Sequence, residues 1–373
     1  MKRLSIISLR VIAALLITAA SLGMPIAASA NPGNSAQTYT VLVGAENVAR
    51  GTSVMAYFPD SLTIHVGDTV LWKQKTHEIH TVTFLAGTPA PILIVPVPAP
   101  PPDLPGPLMI NPQAAFPAAP ADGLYDGTTY ANSGIMSTDP GNPTQFSLTF
   151  TQAGTFAYTC LVHGAMMSGK IVVVDQKDRR DSDYNFGHHF KRIPSPAEVS
   201  RQARWLIAQR LAKANALYGV ALSQVPRPQH NPDGTTNYTV LVGWTKGQLD
   251  LMRFIPAKLV VHPGDTVNFM LSTTNDAPHT VTFLNGAPDI SFIVPIPNPP
   301  GPPILLINPD VLAPLNPGQL LTGSGIFSSG LLQPVVGPTS YSWTIGDISG
   351  NLPYQCILHD TSGMTGMLKV VPK

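Results

Sequence analysis

Two short segments carry the chemistry of this chain. Cys160-Leu-Val-His163 and Cys356-Ile-Leu-His359 hold the only two cysteines, both in the same Cys-x-x-His frame. Each segment follows a Tyr-x-Cys strand end. Each also has a histidine far upstream, His80 or His279, at the head of an identical His-Thr-Val-Thr-Phe-Leu stretch. Methionines follow both pairs: Met166 and Met167 in the first, Met364 and Met367 in the second. One thiolate, two imidazoles and a thioether, twice over, form the donor set of a mononuclear type 1 copper site. Soft sulfur favours Cu(I) and imidazole suits both oxidation states, so such a site can cycle. Zinc also takes Cys and His, but a structural zinc usually has four strong ligands, and here the fourth candidate is a thioether. Two cysteines could instead form a single disulfide, a reading that their matching contexts oppose.

A thiolate and two imidazoles must meet one ion in a nearly trigonal plane. A tight loop between strands can bring Cys, His and Met to a point, while the distant histidine has to come from a neighbouring strand. The rest of the sequence supplies that frame, twice. Tyr39 to Gly44 returns as Tyr238 to Gly243, His65 to Val70 as His262 to Val267, His80 to Leu85 as His279 to Leu284, and Tyr158 to Cys160 as Tyr354 to Cys356. A period near ~200 residues marks a domain duplication rather than a solenoid of short repeats. Within each copy, short runs of β-branched and aromatic residues alternate with Gly, Asp and Pro turns, which predicts a β-sandwich.

The expected organisation is a signal segment over 1–30, one domain over 31–176, a charged and helical linker over 177–235, and a second domain over 236–373. Lys2 and Arg3, the apolar run from Val11 to Ala20, and Ala28-Ser-Ala30 form a secretory signal pattern. Removing it takes away Lys2, Arg3 and Arg10 and no acid, which turns the formal net charge from +1 to −2. The chain is then expected to be exported to the periplasm, cell envelope or exterior, without a membrane span. Charged residues make up only 12% of the chain, which gives no electrostatic case for nucleic acid. In the linker, Ser195-Pro-Ala-Glu198 reads as a capping box with proline in the first turn. Val199, Ala203, Leu206, Ala214, Leu217 and Ala221 form one helical stripe, predicting a helix over 196–222 that docks on a domain or bridges the two.

At these motifs both halves resemble the cupredoxins of the plastocyanin and azurin family. The shared features are Gly67-Asp-Thr-Val70 and Gly264-Asp-Thr-Val267, the two His-Thr-Val segments, and the two Cys-x-x-His loops followed by Met-x-Gly. Gly154-Thr-Phe156 fits the family in the first copy. The second copy departs from it with Gly350-Asn-Leu-Pro353. The resemblance implies an all-β chain of two tandem Greek-key β-sandwiches joined by a linker with one α-helix. It implies two type 1 coppers per chain, held by His80, Cys160, His163 and Met167 and by His279, Cys356, His359 and Met364. Met167 is preferred because Gly169 follows it as Gly366 follows Met364; Met166 remains the rival. Met367 reads as strand packing. In this family the loop histidine is often the electron port with its ring edge near the surface, a role that would fall to His163 and His359.

The implied function is exchange of electrons with redox partner proteins. A copper oxidoreductase of the nitrite-reductase kind, with a further copper at an interface, is the alternative, and copper storage or delivery another. Six of the ten histidines lie outside the two donor sets, and none forms the His-x-His pairs of a laccase-type cluster. His65 and His262 read as turn or surface residues. Residues 89–120 hold twelve prolines and residues 288–317 hold ten. Such segments favour extended polyproline structure and read as connections packed along the sandwich, or else as an apolar cover that limits water near the metal.

Overall fold

The computed structural model describes residues 35–98, 108–175, 193–275, 277–333 and 337–373. The signal pattern, the run Lys177 to Asp181, His188 and His189 lie outside the described residues. The chain is all-β, built as two tandem sandwiches. The inner sheet of the first contains Thr38–Asn47, Thr52–Phe58, Thr69–Gln74 and Gln145–Phe150. Its outer sheet contains Ser61–His65, Gly164–Val174, Gly154–Cys160, Thr83–Phe84 and Ala131–Asn132. The second half repeats this with Thr236–Lys246, Leu249–Ile255, Thr266–Leu271 and Ser340–Ile345 facing Lys258–Val261, Thr365–Val370, Gly350–Gln355, Thr282–Phe283 and Phe327–Ser328. Thr38–Asn47 runs parallel to Thr69–Gln74, and Ser61–His65 parallel to Gly164–Val174, so strands distant in sequence close each sandwich.

Alternation explains which side chains make the cores. In Thr69–Gln74 every second residue is buried, sending Val70 and Trp72 inward, as a strand with one covered face requires. Trp72 packs against Phe84 and Tyr158 in the first half, and Trp343 against Phe269 and Phe283 in the second. The Gly-Asp turns are held by their acids. Asp68 accepts from the backbone N–H groups of His65 (2.9 Å) and Gln37 (2.8 Å), and Asp265 from those of His262 (2.7 Å) and Thr236 (2.8 Å). His65 is more enclosed than a surface reading allows, being buried at its strand end.

The two sandwiches share backbone. Leu249–Ile255 pairs antiparallel with Thr52–Phe58, with Leu249 opposite Val54, Asp250 opposite Ser53 and Leu251 opposite Thr52. The inner sheets thereby fuse into one sheet of eleven strands. The helix Pro196–Ser223 lies across the seam. Its capping box forms: Ser195 Oγ accepts from Glu198 N, and the Glu198 carboxylate accepts from Ser195 N at 2.7 Å. Val199, Ala203, Ala214, Leu217 and Ala221 are buried and Leu206 is half-buried. Most of this stripe packs with Val54, Ala56 and Phe58 of the first half and Leu241, Leu251 and Ile255 of the second, while Val199 joins the first sandwich core. No helix among the described residues is long and apolar enough to cross a membrane.

The proline-rich insertions run only in part along their own sandwiches, where Ala118 bridges to Asn132 and Leu315 to Ser328. Each folds back as a hairpin, and the two hairpins pair in the order Ile293–Ile296, Ile304–Ile307, Leu108–Ile110, Ile94–Pro96. The two central strands contain no proline; Pro96 and Pro295 stand in the two edge strands. Proline lacks the N–H that a central strand needs, so an edge is where it is tolerated. This small sheet ties the halves together a second time and packs apolar side chains on Ile79 and Ile135, next to His80 and Met136.

Candidate metal centres

Cys160 ends the strand Gly154–Cys160, and His163 stands in the loop that returns into Gly164–Val174. His80 is held on the facing edge by a two-way bridge with Met136, its N–H donating to the Met136 carbonyl at 3.0 Å and its carbonyl accepting at 2.8 Å. His80 Nδ1 lies 3.2 Å from His163 Nδ1, and Cys160 Sγ lies 3.4 Å from His163 Nδ1. In the second half, His279 Nδ1 and His359 Nδ1 are 3.0 Å apart. Cys356 Sγ is 3.4 Å from His359 Nδ1 and 3.8 Å from His279 Nδ1. Each triplet offers one sulfur and two ring nitrogens, all within 4.8 Å of one another. Both cysteines are buried and free, so no disulfide joins the halves.

The donors are chemically prepared for a cation. Burial works to raise the Cys160 thiol, but the His163 imidazole, with His80 beside it, holds it well below its ordinary range. Cys356 is held down in the same way by His359 and His279. Burial works to lower His163, yet Cys160 and Glu78 push it up to about 10; Cys356 and Glu78 push His359 up to about 9. Burial dominates at His279 and lowers it. A buried thiolate with two converging imidazole Nδ1 atoms and methionines nearby fits a soft metal such as copper.

Met167 and Met364 are both fully buried in their cores, whereas Met166 is only partly covered. The Met166 carbonyl accepts from Gln248 Nε2 at 2.8 Å, so a turn of the second half grips the first metal loop. The turn Val48–Arg50 of the first half lies in turn against Gly363 of the second metal loop.

Sequence reasoning missed three sets of supporting residues. The first is the threonine of each His-Thr-Val segment. Thr81 N donates to Cys160 Sγ at 3.3 Å and Thr81 Oγ1 accepts from Leu161 N at 2.8 Å. Thr280 does the same for Cys356 Sγ (3.4 Å) and Ile357 N (2.9 Å). The second is the glycine pair of the first repeated strand. Gly44 has φ +66° and a Cβ there would lie 2.5 Å from His80 Nε2; Gly243, at φ +70°, stands in the same relation to His279. Both were visible as repeated residues. The third is Glu78, which has no counterpart in the second half, where Ala277 stands.

Glu78 also corrects the reading of the loop histidines as surface ports. His163 Nε2 is 3.6 Å from Glu78 Oε1 and His359 Nε2 is 3.6 Å from Glu78 Oε2, with the two imidazoles only 11% and 7% exposed. The ring edges turn toward the seam rather than toward solvent, because the fused sheet brings the two loops to one side. Burial works to raise the Glu78 carboxyl, but His359, His163 and His80 bring it down to about 2.

Residues 43–174 match the family model described as copper binding proteins, plastocyanin/azurin family. The match lies within the first half of the chain. The second half repeats the same two-sheet build around the same triplet. Among solved structures, the chain is similar to an oxidised mutant of amicyanin, at 24% identity over 37% of this chain and 82% of that one, with a TM-score of 0.21. It is also similar to a mutant plastocyanin of fern, at 22% identity over 36% of this chain and 99% of that one, with a TM-score of 0.21. No curated protein sequence matches the chain.

Proposed function

We propose that this is an exported electron-transfer protein with two type 1 copper sites per chain. The ligands would be His80, Cys160, His163 and Met167 in one site and His279, Cys356, His359 and Met364 in the other. The observation that carries the reading is the twofold convergence of a buried thiolate with two imidazole Nδ1 atoms. Copper, when bound, supplies one-electron chemistry by alternating between Cu(I) and Cu(II). The chain's own residues keep the donors in place. Thr81 and Thr280 clamp each metal loop to the histidine strand, and the close-packed aromatic cores resist rearrangement. Burial of both thiolates and of the loop histidines keeps water from the donors.

The domain reading follows the same lines: a signal segment over 1–30, domains over 31–176 and 236–373, and a linker over 177–235 that carries the seam helix. Redox proteins of the envelope or exterior would be the partners.

The test is a visible spectrum and copper count on copper-loaded protein, with Cys160→Ser and Cys356→Ser alongside. Two coppers per chain and an intense blue band halved by either variant are expected. Colour that survives both substitutions would sink the reading. Met167→Ala should shift the band of its site, and Met166→Ala should leave it in place; the reverse would reassign the axial ligand.

A further inference from the structure

Glu78 is a carboxylate with 6% side-chain exposure, placed where two metal-site histidines from different halves of the chain meet. A buried carboxylate is costly unless cations or donors face it, and the groups that face this one are the Nε2 edges of His163 and His359. Its backbone is pinned: the Glu78 carbonyl accepts from Gln74 Nε2 at 2.6 Å and from Thr76 Oγ1 at 3.2 Å. The side chain therefore issues from a fixed point, and each of its oxygens lies within ion-pair distance, 3.6 Å, of a different ring.

We propose that Glu78 is a positioning residue shared by both metal centres, one carboxylate bracing the Nε2 edges of His163 and His359 so that both Nδ1 atoms stay turned toward their cysteines. An imidazole that carries its proton on Nε2 presents a bare Nδ1 to a metal, and the partner of the outer nitrogen decides which tautomer stands. The two Nε2 atoms lie 3.6 Å from separate Glu78 oxygens, while both Nδ1 atoms lie 3.4 Å from a cysteine sulfur. The upstream histidines are supported otherwise: Asn275 Oδ1 lies 3.2 Å from His279 Nε2, and Gly44 leaves room for the His80 ring. The duplication has not supplied a brace per domain, because Ala277 holds the equivalent position. The second metal centre thus depends on a residue of the first half. This inference deepens the copper reading, but its geometry holds without it.

The first test is imidazole 15N NMR of the purified protein before any metal is added, comparing the unsubstituted chain with Glu78→Gln. The ring signals of His163 and His359 should both move, although residue 78 belongs to only one half. Glu46→Gln serves as the control, since it removes another well-buried carboxylate, paired with His77 at 2.7 Å, and should move neither. Movement of His163 alone, or of neither ring, overturns the shared brace. If Glu78→Gln does not fold, the unsubstituted protein decides: slowly exchanging Nε2–H protons on both rings are expected, and rapid exchange at either overturns the proposal. The second test is competition for Cu(I) against a chromophoric chelator, in Cys160→Ser and in Cys356→Ser, each with and without Glu78→Gln. The loss of a partner behind a metal-bound histidine typically weakens binding by about 10–100-fold, and that loss is expected at both remaining centres. A loss confined to the first-half centre counts against the brace. A protein whose rings both respond to Glu78→Gln but which takes up no copper would retain the brace and refute the copper reading instead.

Discussion

In the first half, His80 Nε2 is buried with no hydrogen-bond partner among the described residues. In the second half, His279 Nε2 has Asn275 Oδ1 at 3.2 Å. The loops differ too, with the buried methionine four residues after His163 and five after His359. Yet the inner scaffolding is the same in both: threonine to sulfur, threonine to loop N–H, glycine beneath the upstream ring. Contacts that define where the donors meet have been kept, while those on the outer nitrogens have diverged. Asymmetry in two sites of common design thus resides in what their histidines touch on the far side.

The sharpest way to break this comparison is to fill the space beneath one ring. Gly44→Ala should push His80 out of its cluster and remove the first site, leaving the second. Gly243→Ala should do the converse. Each should halve the copper count, and loss of both sites from one substitution would show that the scaffolds are not independent. Asn275→Ala should sharpen the contrast on the outer side, weakening Cu(I) binding about tenfold or more at the second site only, as read by chelator competition in Cys160→Ser. Next come the clamps. Thr81→Val and Thr280→Val each strand a loop N–H and should cost about 1–3 kcal/mol in denaturant unfolding, with similar values for the pair; a large difference would mean that the inner scaffolding has diverged as well. The smallest effect belongs to the seam helix, where Ser195→Ala removes the capping hydroxyl and should cost about 1 kcal/mol without changing the copper count.

Much of this was readable from the sequence because repetition exposed it. The Cys-x-x-His loops, the upstream histidines and the sandwich strands occur twice at nearly constant offset, and the seam helix announces itself through Ser195, Pro196 and Glu198. Glu78 was not readable for the opposite reason: it occurs once, and nothing in its neighbourhood signals a partner some 280 residues away. The fate of His163 and His359 was hidden with it, since neither loop's own sequence signals that the two will face a common seam. The pairing of the insertions was obscured by their prolines, which mask strand alternation. Leu108–Ile110 and Ile304–Ile307 are short proline-free stretches within them, and their register with each other depends on how the halves are already joined.

The strands Thr52–Phe58 and Leu249–Ile255 meet at the centre of the eleven-stranded sheet. Cut apart, each domain would carry one of them as a bare margin: Val54 and Leu251 are fully apolar, and the seam helix could cover only one of the two. An unprotected strand of that kind is a template for unwanted pairing with other chains. The halves of this protein are therefore poor candidates for separate production. A duplicated single-domain ancestor, once fused this way, would find the return to solitary life barred by its own exposed backbone.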